Sequence, residues 1–294
     1  FDIADGSLIK VRNENDPSLP EDVLKEPSVR EVIWRVDSQN ALDSIEKELA
    51  KDREVTKDDE GILHTVDDCD IPIGFQVFQA RAIEFENIPC NTPTEIQRWN
   101  TCRKWYKKAN PKLIHHIGYA VEPEDVQKLT DFYSERLNFR LTDISKGLAT
   151  FLMADGRNDH HSIFIINSNV MGGGKLWNHV SYGVENIDEL MTGANHLQRK
   201  GYTSFLGLAR HRISSAINFY ANNPGGGDSE YLTDIDYIDE NWKPRIWNPA
   251  FGAFYWTHEL CHFNQNEVPW DCEIIEGKPP KFMDTITAMP GQQR

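Results

Sequence analysis

Two histidines and a glutamate, each on a strand-like segment, are the residues of this chain best placed by type and spacing to close around one divalent metal ion. His116 lies in Leu113-Ile114-His115-His116-Ile117-Gly118-Tyr119-Ala120-Val121, and His179 in Leu176-Trp177-Asn178-His179-Val180-Ser181-Tyr182-Gly183-Val184. Glu230 follows a glycine-rich turn in Gly227-Asp228-Ser229-Glu230-Tyr231-Leu232. The first two segments share one pattern: a short apolar strand with a histidine near its start, then an acidic turn and an amphipathic helix. Two neutral imidazoles and one carboxylate leave coordination positions open, the facial arrangement suited to non-haem Fe(II) and oxygen chemistry. A lone strand histidine is more often a hydrogen-bonded core residue, but recurrence at one position in two copies favours ligation. Within His115-His116, strand alternation sends the rings to opposite faces, and alignment with Asn178-His179 selects His116.

A second doublet, His160-His161, is expected on the strand after the turn Ala154-Asp155-Gly156, with one ring facing inward. A non-ligating imidazole beside a metal can move protons near neutral pH. The preceding Arg157-Asn158-Asp159 fits a solvent-facing turn equally well. His211, Tyr220 and Glu230 fall on neighbouring predicted strands, and Tyr220 taken alone reads equally as a half-buried sheet aromatic. The runs Gly172-Gly173-Gly174 and Gly225-Gly226-Gly227 sit in no strand-to-helix phosphate loop and read as turns.

These residues need a scaffold, and an internal repeat supplies its outline. Phe1-Asp2-Ile3-Ala4-Asp5-Gly6 reappears as Phe151-Leu152-Met153-Ala154-Asp155-Gly156, and Val29 to Asp37 lines up with Trp177 to Glu185, which sets Glu31 against His179. A helix follows each strand, its apolar face made by Ala41, Leu42, Ile45 and Leu49, by Val126, Leu129, Phe132, Tyr133 and Leu137, or by Ile187, Leu190, Met191, Ala194 and Leu197. Gly201 is expected to stop the last of them. The fold class is therefore α+β: paired βαβββ modules forming two similar half-barrel-based domains. The expected division is a non-catalytic domain over residues 1–88, its first module incomplete because the chain begins mid-unit, and a linker over 89–112. A metal-binding domain then covers 113–238, with an aromatic extension over 239–294 packed on it.

Composition narrows the partners. The chain has 294 residues, 39% hydrophobic and 26% charged, with a formal net charge of -15. Such an acidic surface repels nucleic acid and anionic membranes, and no apolar run approaches the roughly 20 residues that span a bilayer. Five cysteines (Cys69, Cys90, Cys102, Cys261 and Cys272) without paired metal-knuckle spacing read as reduced thiols, hence a cytoplasmic protein.

Taken together, these motifs resemble the type I extradiol ring-cleaving dioxygenases of the vicinal oxygen chelate superfamily, over about residues 1–236. The resemblance implies His116, His179 and Glu230 as ligands of Fe(II), with Mn(II) as the alternative ion, and sets His161 of Asp159-His160-His161-Ser162 in the acid-base place. It also implies that His211 and Tyr220 hold oxygen and substrate oxygens. The expected activity is O2-dependent meta cleavage of a catechol-type diol to a muconic semialdehyde-type product, in aromatic-compound catabolism, by a homo-oligomer. The long tail after Asp239 departs from the family's pattern. Two other readings are a glyoxalase-like metal-dependent isomerase, which needs no oxygen, and a metal-free binding protein on the same fold, which needs none of the six polar residues.

Overall fold

The computed structural model describes residues 1–24, 27–86 and 88–286. One βαβββ unit occurs three times. The first comprises β1 (Val32–Val36), α1 (Gln39–Leu49), β2 (Thr56–Lys57), β3 (Leu63–Val66) and β4 (Pro72–Val77). The second comprises β5 (Leu113–Val121), α2 (Pro123–Asp131), β6 (Arg140–Ser145), β7 (Ala149–Met153) and β8 (Ile163–Asn167). The third comprises β9 (Leu176–Gly183), α3 (Ile187–Arg199), β10 (Leu208–Arg210), β11 (Ile217–Asn222) and β12 (Asp228–Thr233). In every unit the last strand returns parallel to the first, giving the order first-fourth-third-second. The first half thus contributes one unit and the second half two, joined where β5 and β9 pair antiparallel.

Local chemistry explains the helix ends. Ser38 accepts from the Ala41 amide at the start of α1, and Asn186 accepts from Asp188 and Glu189 amides at the start of α3, where both acids also suit the helix dipole. Past Lys200, Gly201 takes φ +90° and ends α3. Leu42 and Leu49 of α1, Val126 and Leu129 of α2, and Leu190 and Ala194 of α3 are buried on one face of each helix, worth about 1.5–3 kcal/mol for each fully buried large aliphatic. The apolar core runs across both halves: Trp34 of β1 meets Tyr133 and Phe139 edge-on, at 6.1 and 5.2 Å.

The segment after Asp239 does more than lie over the second half. It extends the sheet at both ends, through β13 (Arg245–Trp247) beside β6, β14 (Trp256–Thr257) beside β10, and β15 (Cys272–Ile274) beside β13. Residues 89–112 hold no strand or helix and are tied to the start of α3 by Arg103 with Asp188 and to the turn just before it by Lys104 with Glu185. All five cysteines are unpaired. No helix among the described residues is long and apolar enough to cross a membrane.

Candidate metal centre

Strand register brings the polar residues onto one face. Across the ladder, His116 of β5 stands opposite Ser181 of β9, Ser181 opposite Glu230 of β12, and Glu230 opposite Tyr220 of β11. Residues paired across a ladder share a face, so this row spans four strands. His179 is two residues before Ser181 and points the same way. The small Ser181 in mid-row leaves space for its longer neighbours to converge. Gly118, paired with His179, does likewise: a Cβ there would lie 3.0 Å from the His179 ring.

His116, His179 and Glu230 are all buried, and their donor atoms converge. His116 Nε2 lies 2.9 Å from His179 Nε2 and 3.1 Å from Glu230 Oε2, which is 3.8 Å from His179 Nε2. Burial pushes the His116 and His179 pKa values down, His116 further because other imidazoles adjoin it. Each ring therefore carries one proton. On His179, Nδ1 donates to Asn178 Oδ1 at 2.5 Å, which leaves its Nε2 lone pair bare. On His116, Nδ1 contacts His115 Nδ1 at 3.2 Å; His115 Nε2 is 3.1 Å from Asp159 Oδ2, and Arg157 grips that carboxylate with two bonds of 2.7 and 2.5 Å. Both Glu230 oxygens are buried without a hydrogen-bond partner. Electron-pair donors facing one another with no proton between them are repulsive, and a buried carboxylate with no partner is costly. A divalent cation removes both problems, so the donor set fits a metal of the kind bound by imidazole and carboxylate.

The doublets differ from simple strand alternation. His115 is bulged out of register between Ile114 and His116, and His160-His161 precede β8 in a bend rather than lying on a strand. All four rings are buried. A second ring inside is tolerated because each outer histidine has a buried carboxylate: Asp159 for His115, and Asp143 Oδ2, 3.1 Å from Nε2, for His160. His161 sits beside His116, ring centroids 4.2 Å apart, outside the three-donor convergence, and burial lowers its pKa well below the ordinary imidazole value. The solvent-facing-turn alternative for this doublet is excluded.

On the other flank, His211 directly follows β10. Its Nδ1 donates to the Ala253 carbonyl at 2.6 Å, and its Nε2 meets the Tyr220 hydroxyl at 3.2 Å. The His211 ring stacks on Phe254, 4.9 Å between centroids. Burial first, then nearby Glu230, raises the Tyr220 pKa well above its usual value, so the phenol keeps its proton. All six residues predicted as site residues thus meet in one region. Ala253, whose carbonyl holds His211, and Asp143, which bonds His160 and Trp247, lie apart from these residues in sequence, and no local motif marks them.

Known proteins fit this picture. Residues 113–229 match the Glyoxalase/Bleomycin resistance protein/Dioxygenase superfamily. The chain is 32% identical over 142 residues to metapyrocatechase 2 of Cupriavidus necator; the shared stretch spans 48% of this chain and 42% of that protein, less than half its length. Among solved structures, the Mn(II)-bound glyoxalase from Novosphingobium aromaticivorans superposes with a TM-score of 0.60 at 22% identity, covering 76% of this chain and 70% of that one. The 2,2',3-trihydroxybiphenyl 1,2-dioxygenase from Sphingomonas wittichii strain RW1 gives 0.59 at 18% identity, covering 79% of each. At such identities the structural likeness shows the fold alone, the repeated βαβββ architecture described above.

Proposed function

We propose that this protein is an Fe(II)-dependent extradiol dioxygenase that cleaves a catechol-type diol with O2 beside, not between, its hydroxyls, to a muconic semialdehyde-type product. One observation carries the reading: His116, His179 and Glu230 converge as bare donors, flanked on one side by the non-ligating His161 and on the other by the His211–Tyr220 pair. A sequestering pocket needs none of the last three. When bound, Fe(II) supplies Lewis acidity toward the diol and a position for dioxygen. His161, neutral in its buried place, takes a proton from a diol hydroxyl and returns it to oxygen as the ring opens. His211, its Nδ1 proton held by the Ala253 carbonyl, accepts the Tyr220 hydroxyl proton at Nε2 and so keeps the phenol in place; with substrate bound, that hydroxyl turns from His211 to donate its proton in a hydrogen bond to a substrate or dioxygen oxygen. His116, His161, His179 and Glu230 are buried, and the low local dielectric there strengthens their contacts. A cytoplasmic homo-oligomer acting in aromatic-compound catabolism is the setting that accompanies this reading.

Likeness to an Mn(II)-bound glyoxalase supports a second reading, a metal-dependent isomerase. Anaerobic reconstitution with Fe(II), or separately Mn(II), followed by an oxygen-electrode assay with a catechol panel separates the two. Oxygen uptake matched to semialdehyde absorbance is the expected result. Turnover of an α-oxo thiol adduct without oxygen uptake supports the isomerase, and failure to retain either metal overturns both.

A further inference from the structure

The geometry points to Asp143 and Trp247 as positioning residues that set which nitrogen of His161 carries its proton. This rests on the acid-base role proposed for His161. Asp143 is fully buried and its oxygens face three N–H groups or rings. The Arg245 amide donates to Oδ1 at 2.7 Å and the Trp247 indole N–H to Oδ2 at 2.9 Å, neither of which can accept. His160 Nε2 lies 3.1 Å from the same Oδ2. A carboxylate offers only lone pairs, so the His160 proton belongs on Nε2 and its Nδ1 is left as an acceptor. That Nδ1 stands 3.1 Å from His161 Nδ1, a contact that is attractive only when His161 Nδ1 holds the proton. His161 Nε2 is then a bare lone pair, the form a base requires. Asp143, His160 and His161 are buried and Trp247 is half-buried, and Trp242 closes the chain from outside by meeting the His160 ring edge-on at 5.6 Å. Two of the donors belong to β13, so the extension after Asp239 reaches the proposed base through three hydrogen-bonded partners.

Imidazole ¹⁵N NMR of the metal-free protein at neutral pH reads the tautomer without any turnover, so it decides this inference even where no catechol is cleaved. The parent protein should show His161 protonated on Nδ1. Asp143→Asn puts an amide N–H₂ among donors and should shift His161 toward the Nε2-protonated form. In the Fe(II)-loaded protein the same substitution should lower kcat roughly 10- to 100-fold, as for other partners that orient a site histidine, with KM and iron content unchanged. In a His161→Ala background it should have no further effect on kcat. Trp247→Phe keeps the aromatic bulk and removes one donor; it serves where Asp143→Asn fails to fold, and should give a smaller loss of kcat that also vanishes without His161. A parent His161 protonated on Nε2, a tautomer insensitive to Asp143→Asn, or losses of equal size with and without His161 would each overturn the assignment.

Discussion

The first and third βαβββ units have the same strand order and opposite chemistry. Parallel register pairs Ser181 with Glu230 in the third unit and, with Ile33 and Ser181 each two residues on from the equivalent Glu31 and His179, Ile33 with Gly74 in the first. Glu31 therefore stands where His179 does, and Gly74 where Glu230 does. Gly74 has no room for a carboxylate: a Cβ there would meet the Leu63 carbonyl oxygen at 2.8 Å. Glu31 instead bonds His64 Nδ1 at 2.7 Å, a half-exposed pair on a structural sheet. One backbone thus serves as a donor platform or as packing, depending on a few side chains and on whether a second unit closes over it through a strand such as β5.

Removing donors should separate the units most sharply. His116→Ala, His179→Ala or Glu230→Ala should each abolish metal retention, because two remaining donors hold an open ion poorly, whereas Glu31→Ala should leave metal content unchanged. Metal analysis after dialysis checks this; stoichiometric metal in any of the first three variants would refute the ligand set. Next in size, His161→Ala should keep the metal while turnover falls roughly 10²- to 10⁴-fold, the range for a positioned acid-base group. Loss of metal would make His161 a ligand, and unchanged turnover would remove it from the chemistry.

Much of this site was legible in the sequence because it depends on local periodicity. His116, His179 and Glu230 sit on strands whose apolar alternation is plain, and the paired occurrence of two of them marked the position. The outer partners were not legible. Asp143 lies on β6 while His160 sits in the bend before β8, and Trp247 is on an extension whose aromatics suggest only packing; nothing within a few residues of either signals that they meet. Strand alternation also misplaced the doublets, since His115 is bulged and His160-His161 sit in a bend, and both irregularities arise where buried carboxylates stabilise a second inward ring. The parallel register places the first unit's counterpart of Glu230 at Gly74, a fact no single-strand pattern contains.

Glycines sharpen the comparison further. Gly118→Ala sets a methyl 3.0 Å from the His179 ring, so it should weaken metal affinity by roughly 10- to 100-fold with little change in unfolding free energy. Gly74→Ala meets backbone instead and should destabilise the protein by about 1–3 kcal/mol without touching metal affinity. Urea unfolding of the metal-free protein together with metal titration distinguishes them, and the same profile for both variants would mean the two units are not specialised as described.

The smallest effect concerns protons, and its sign differs between the units. Burial lowers the pKa of His116, His161 and His179 in the folded protein. Their unfolded counterparts take up protons near pH 6.5, so metal-free protein should lose stability as pH falls below that value. His64 runs the other way: burial opposes its charge, but Glu31 at 2.7 Å and Asp58 at 3.3 Å outweigh it and raise its pKa. Its contribution is present in full below about pH 6.5, the unfolded value, and is lost as pH rises through the raised folded value. The pair is partly exposed, so the contribution is about 0.2–1 kcal/mol, as for solvent-screened ion pairs. His64→Gln should therefore cost stability at pH 6 and little at pH 9, steepening the overall loss of stability toward acid. Urea midpoints of parent and variant at the two pH values test this; an equal difference at both would show that His64 contributes packing and hydrogen bonding but no charge.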